Sequence, residues 1–236
     1  MNELFELNYS KINSYMFCPH LYEYVYVKKK YVPHNPYSSL GISLHRTLKK
    51  YALGKLDLES LFIAYEESWE NSGYSSPKEM MEFYNKGNKM LESFWLNEQS
   101  MDNQIIFAEK DFEFKLEDFI IRGTIDRVDK RKDGSYELIE YKTGGDDEKY
   151  AGNINNNLQL LIYALGLKES FSIEIFYLSV YMISSGHKMT EKFDISKNME
   201  TTAFLKDMGD KIKNLKFERK GNCSICQIKN LCEFKN

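Results

Sequence analysis

The chain has 236 residues, 42% hydrophobic and 28% charged, with 17 Tyr and 15 Phe, enough for one large domain around a sizeable core. A net charge of −3, from 32 Lys and Arg against 35 Asp and Glu, excludes a surface that is basic overall. No apolar run approaches the roughly 18 to 20 residues that span a bilayer, and the opening MNELFELNYS lacks the basic-then-apolar order of a signal peptide; a cytoplasmic protein with no membrane partner is expected.

In chain order, residues 8–27 predict a helix, with Ser10 as N-cap and apolar recurrence through Ile12, Tyr15, Met16, Leu21 and Tyr24. KKKYVPHNP interrupts it. A second helix is expected from about Tyr37 to Leu53, with Gly54 as its stop. Residues 56–104 read as further helices with Trp69, Phe83, Phe94 and Trp95 toward the core, so 55–105 is taken as a helical insertion. The period then changes to that of strands. IIFAEKDFEFKL, FIIRGTIDRVDKR and YELIEYK are three strand-like runs divided by the turn signals EDF and KDGS. A helix over about 154–168 follows, then the strand-like SIEIFYLSVYMI, a helix over about 198–215, and GNCSICQIKNLCEF. Helices, three strands, a helix, a strand and a helix make a mixed α/β or α+β domain.

Glu140 and Lys142 stand two apart in YELIEYK and so share a strand face. The preceding strand-like run carries Asp126, polar among Ile121, Ile125 and Val128, and pairs with YELIEYK through the Asp133-Gly134 turn. Two neighbouring carboxylates repel unless a positive group lies between them. Mg²⁺ or Mn²⁺ suits such oxygen ligands, and Lys142 could then stabilise developing negative charge or orient a water. The alternative is a cross-strand ion pair on a wet sheet face. On the next helix, NLQLLIYALGLK is apolar nearly all round except for a gap holding Gln159, Tyr163 and Gly166. Either neighbouring backbone satisfies Gln159 and Tyr163, or they face the acidic site. Upstream, Gly41 and His45 lie four apart in LGISLHRTL; His45 is either structural or a metal ligand. Cys223, Cys226 and Cys232 form C-x2-C-x5-C at the end of the chain, with Cys18 near its start. In an intracellular protein that pattern points to structural zinc or an iron–sulfur cluster rather than to disulfides.

The ordered set G-x-x-x-H (Gly41, His45), GTID ending in Asp126, E-x-K (Glu140, Lys142) and Q-x-x-x-Y (Gln159, Tyr163) resembles the PD-(D/E)xK nuclease superfamily, in particular its RecB-like branch. No Pro precedes Asp126 here, although one is common in that branch. The resemblance implies a restriction-endonuclease-like core over the single domain 1–236, a central mixed sheet of about four or five strands with helices on both faces, and metal-dependent DNA cleavage. It implies His45, Asp126, Glu140 and the Tyr141 carbonyl as ligands of Mg²⁺ or Mn²⁺. Lys142 becomes the catalytic lysine, with Gln159 and Tyr163 beside it. One cysteine before the core and three after it resemble the iron–sulfur nucleases, among them the AddB nuclease domain and the CRISPR-adaptation RecB-like nucleases. That implies a four-iron four-sulfur cluster on Cys18 and residues 223–232, tying the chain ends together, with zinc as the lesser alternative. The same resemblance implies DNA as partner, single-stranded ends above duplex, exonuclease action in repair, recombination or CRISPR adaptation, and a helicase or CRISPR integrase as companion. Two rivals remain: a DNA-binding or scaffold subunit with an inactive site, and a cluster-bearing regulatory protein whose carboxylates are structural.

Overall fold

A computed structural model describes residues 4–145, 147–214, 218 and 220–234. Its centre is a mixed sheet of six strands flanked on both faces by helices, the α/β arrangement expected. The long strands β2 (Gln104–Leu116) and β3 (Phe119–Lys130) run antiparallel along their whole length. The other edge of β3 is shared. Its start pairs in parallel with β1 (Phe5–Leu7), and its end pairs antiparallel with β4 (Tyr136–Lys142). β4 is parallel to β5 (Tyr177–Met182), reached through helix α6 (Leu158–Phe171), and β6 (His187–Lys192) closes the far edge antiparallel to β5.

Two of the six strands have no counterpart in the sequence reading. β1 is three residues long, too short to show a period. β6 is HKMTEK, a charged edge strand whose polarity discourages pairing with another chain but hides the alternation. Residues 172–176, read as the start of a strand, lie before the ladder of β5 begins.

The first predicted helix is broken. α1 runs Tyr9–Phe17, capped by Asn8 rather than Ser10: the Asn8 side chain accepts from Lys11 N–H at 2.8 Å. Pro19 forces the break, because proline disfavours helical φ/ψ in the residue before it. Cys18 is accordingly extended (φ −163°, ψ 117°), and α2 (Pro19–Tyr22) starts afresh, followed by a π-helical turn over Glu23–Val27. α3 spans Pro36–Gly54 under an Asn35 capping box, and the left-handed residue that ends it is Lys55 (φ 46°), one past Gly54. α4 (Leu58–Ser68) and α5 (Pro77–Gln99) occupy the stretch read as helical. α7 spans Lys197–Lys213; the expected end at 215 lies outside the described residues.

The sheet separates two cores. On one face Leu7, Ile12, Ile121, Leu138, Leu160, Leu178 and Leu205 bring together α1, α6 and α7. On the other, Leu44, Tyr65, Phe94, Ile139, Tyr141 and Tyr181 bring together α3, α4 and α5. Leu138 and Ile139 belong to opposite cores, so the strand period places Glu140 and Lys142 on the α6 face. Among the described residues, no helix is long and apolar enough to cross a membrane.

Candidate metal and catalytic site

Along β3, Ile121 and Ile125 enter the α6-side core, and the next residue to do so is Val128. The alternation has slipped by one, and Asp126 sits at the slip. The partner strand is irregular at the same level. Glu109, flanked by the pairs Ala108–Arg127 and Lys110–Ile125, has φ +46°. For a non-glycine residue inside a strand this left-handed backbone costs about 1–3 kcal/mol, strain of a kind concentrated at functional sites. The result is that Glu109, Asp126 and His45 of α3 meet. His45 Nδ1 lies 3.2 Å from Glu109 Oε1 and 3.4 Å from Asp126 Oδ1. One ligand atom from each of the three falls within 4.8 Å of the others. Asp126 Oδ2 accepts from the Tyr141 N–H at 2.8 Å, which fixes the carboxylate against β4. α3 lies close to the end of β4, where a methyl on Gly41 would stand 3.4 Å from Thr143 Oγ1.

Beside this group runs a second chain of contacts. Lys142 Nζ donates to Glu140 Oε1 at 2.6 Å and to Gln159 Oε1 at 2.9 Å, and Gln159 Nε2 donates to Tyr163 Oη at 3.0 Å. Asn157 sets the start of α6 by accepting from the N–H groups of Gln159 and Leu160 at 3.0 and 3.3 Å. The position of Tyr163 depends on Gly123: a Cβ there would come within 3.1 Å of its ring and 2.6 Å of Phe112. A cavity of about 740 Å³ opens in front of Asp126 and Tyr163 and extends past Tyr9, Asp111 and Arg122.

Burial and the nearby Asp126 charge push the Glu140 carboxyl up to about 8, against the pull of Lys142. Glu140 Oε2 is buried without a hydrogen-bond partner. For His45, burial opposes the charge, but Asp126 and Glu109 outweigh it and push the imidazole up to about 10. Lys142 is likewise disfavoured by burial and rescued by Glu140, ending above its ordinary value. Burial raises the Tyr163 phenol, so it stays neutral. One imidazole, two converging carboxylates and a buried carboxylate oxygen with nothing to bind form a donor set that fits a hard divalent cation.

His45, Asp126, Glu140, Lys142, Gln159 and Tyr163 thus lie in one region, on α3, β3, β4 and α6. The compact ligand group holds His45 and Asp126 with Glu109; Glu140 is engaged by Lys142 instead. Glu109 was absent from the sequence reading. Its signal is the polar run Glu109-Lys110-Asp111, which interrupts the alternation of β2 where the slip occurs.

The four cysteines line a separate cavity of about 470 Å³ between the α1–α2 corner and the C-terminal segment. No three of their sulfurs fall within 4.8 Å of one another. Cys18 Sγ accepts from the Lys220 N–H at 3.4 Å.

Residues 6–233 match the family described as the PD-(D/E)XK nuclease superfamily. Among solved structures, a Eubacterium rectale protein named provisionally as an exonuclease is similar over 94% of this chain and 85% of its own, with a TM-score of 0.56 at 10% identity. A protein named SSO0001 is similar over 100% of this chain and 89% of its own, at a TM-score of 0.45 and 16% identity. No curated protein matches the sequence.

Proposed function

The chain belongs to the PD-(D/E)XK nuclease superfamily, and on that premise we propose that it is a divalent-metal-dependent deoxyribonuclease of the RecB-like branch, an exonuclease acting on single-stranded ends. The observation that carries this reading is the convergence of His45, Glu109 and Asp126, with Asp126 lining a cavity that Tyr163 also lines. His45, Asp126 and Glu140, with the Tyr141 carbonyl, would hold Mg²⁺ or Mn²⁺, and Glu109 joins them. Such a cation supplies Lewis-acid polarisation of the phosphate and a more acidic water. Lys142, kept charged by Glu140, donates to a phosphate oxygen or to the attacking water, where a fixed charge is worth most against developing negative charge. Gln159 holds the Lys142 ammonium from behind, and Tyr163 holds Gln159. The neutral Tyr163 phenol adds a donor without adding negative charge beside the phosphate.

Cys18, Cys223, Cys226 and Cys232 would bind a four-iron four-sulfur cluster. Support comes from their shared cavity and from the Lys220 N–H directed at Cys18 Sγ. Brown, anaerobically purified protein containing iron and sulfide is expected; colourless protein carrying zinc overturns the assignment. A cytoplasmic setting, with a helicase or CRISPR integrase partner in repair or CRISPR adaptation, completes the proposal. The deciding experiment is a digest of end-labelled single- and double-stranded DNA with Mg²⁺ or Mn²⁺. Shortening of single strands from an end is expected. No cleavage by well-folded, metal-loaded protein would leave the inactive scaffold as the better reading.

A further inference from the structure

A third cavity, of about 520 Å³, adjoins the E-x-K strand on the side away from Tyr163. It is lined by Tyr37, Leu40, Lys86, Thr143, Gly144, Gly145 and Ser184. Tyr37 is 67% exposed, so its ring can be reached from solvent. Its ring is fixed from below, edge-on to Phe83 of α5 with centroids 5.1 Å apart. Lys86, one turn along α5, holds its ammonium 5.6 Å from the centre of the Tyr37 ring and 5.9 Å from that of Phe83, and makes no ion pair among the described residues. The same cavity is lined by Gly144 and Gly145, which follow β4 after Thr143; nothing would meet a side chain on Gly144 within 4 Å, so backbone there is open to an approaching group.

Tyr37 also has a fixed relation to the metal site. Tyr37, Gly41 and His45 succeed one another at four-residue spacing on α3 and form one row. At 1.5 Å per residue, eight residues put Tyr37 about 12 Å along the helix from His45, or between three and four rises of a stacked strand at about 3.4 Å each. An accessible aromatic ring, a cation over it with no ion pair among the described residues and bare glycine backbone in the same cavity are the parts of a single-strand binding platform.

We infer that Tyr37, Phe83 and Lys86 form a subsite in which one unpaired nucleobase of the DNA substrate stacks on Tyr37 while Lys86 meets a neighbouring phosphate. The inference rests on the nuclease reading and sharpens it: the subsite takes only strand that is already unpaired, since a base inside a duplex has no free face. It thereby ties the single-strand preference to particular residues.

The test uses full-length, anaerobically purified protein and fluorescein-labelled single-stranded oligonucleotides in Ca²⁺, read by anisotropy, with initial rates measured in parallel in Mn²⁺. Tyr37→Ala should weaken binding roughly 5- to 150-fold, as loss of one stacked base does, and Tyr37→Trp should restore it. Because Tyr37 is mostly exposed, the melting temperature should not move. An abasic site walked along the strand should weaken wild-type binding at one position and leave Tyr37→Ala unaffected there. In cleavage, KM for single strands should rise while kcat stays within a few-fold. Unchanged affinity in Tyr37→Ala, or an abasic penalty identical in both proteins, overturns the subsite while wild-type cleavage leaves the nuclease reading standing. Absence of cleavage in the wild type removes that reading instead, which the rate arm reports separately.

Discussion

β3 and β4 carry buried charge on both faces, and the two sets are built differently. On the α5 side, Arg127 is bidentate to Asp129 at 2.6 and 2.8 Å, and also donates to Glu98 at 2.8 Å and to Tyr141 Oη at 3.2 Å. Nearby, Glu137 accepts from Ser179 at 2.6 Å and pairs with Lys188 at 2.8 Å. On the α6 side, among the described residues, the ion-pair partners of Glu109, Asp126 and Glu140 are His45 and Lys142. Buried oxygens without a hydrogen bond do not separate the two, since Glu98 Oε1 and Glu137 Oε2 accept none, as with Glu140 Oε2. Access and arrangement do. The side chains of Arg127, Asp129 and Glu98 are 0–4% exposed, and their fixed cation lies at the centre. In the other set Asp126 opens onto a cavity, and the cation between Asp126 and Glu109 is His45, which can give up its proton and become a ligand itself. Buried acids indicate a site when the cation among them can yield its place to a ligand.

The largest effect expected from this contrast is on folding. Arg127→Met leaves Asp129 and Glu98 buried without their cation, and breaking a buried pair from one side costs on the order of 3–5 kcal/mol. Urea unfolding should show that loss. A change below about 1 kcal/mol would mean that the network is not closed as described.

Lys142→Ala should reverse the pattern. Cleavage falls on the order of 100- to 1000-fold while the unfolding midpoint and Mn²⁺ affinity hold, because an ammonium has no lone pair to give a metal. Asp126→Ala should lose both activity and affinity, measured by calorimetric titration. Wild-type cleavage by Lys142→Ala would reduce E-x-K to an ion pair.

The open set should also respond to pH. The Glu140 proton is held more tightly in the folded chain (about 8) than in the unfolded one (4.5). Its contribution to stability is therefore full below about 4.5 and is lost as pH rises toward about 8. His45, pushed up to about 10, has the same sign, losing its contribution above its unfolded value. A divalent cation replaces both protons, so the rise in melting temperature on adding Mg²⁺ should be small near pH 5 and grow to about pH 8. At a hundredfold excess over Kd it corresponds to about 2.7 kcal/mol. A gain that does not vary with pH would place the cation elsewhere.

Much of this was legible in the sequence because its signals are local. E-x-K shares a face by strand period alone, and Gln159 and Tyr163 stand out on an otherwise apolar helix. The order of periods showed a mixed α/β or α+β domain, and the resemblance supplied the central sheet between helices. What escaped is non-local. Glu109 enters the site because its backbone turns left-handed beside Asp126, and the polar run in β2 does not say which residue of another strand or helix it meets. Arg127 and Asp129 carry no local sign of burial; the acid that engages Arg127 from outside the strand is Glu98, 29 residues before it. β6 hides because an edge strand is kept polar.

The smallest expected effect separates framework from chemistry most finely. Asn157→Ala frees the first N–H groups of α6 from their cap, at about 1 kcal/mol. Ser76→Ala removes the equivalent cap of α5, which accepts from Glu79 N–H at 3.2 Å, and should cost a similar amount. Only the α6 cap fixes the residue that touches Lys142, since Gln159 is both a capped N–H and the acceptor behind the ammonium. At matched loss of stability, Asn157→Ala should lower kcat several-fold and Ser76→Ala should not. Asn157→Ser, which can still accept from the backbone, should recover the rate. Equal rates in both variants would mean that Lys142 is held by Glu140 alone and that α6 serves the site only as a wall.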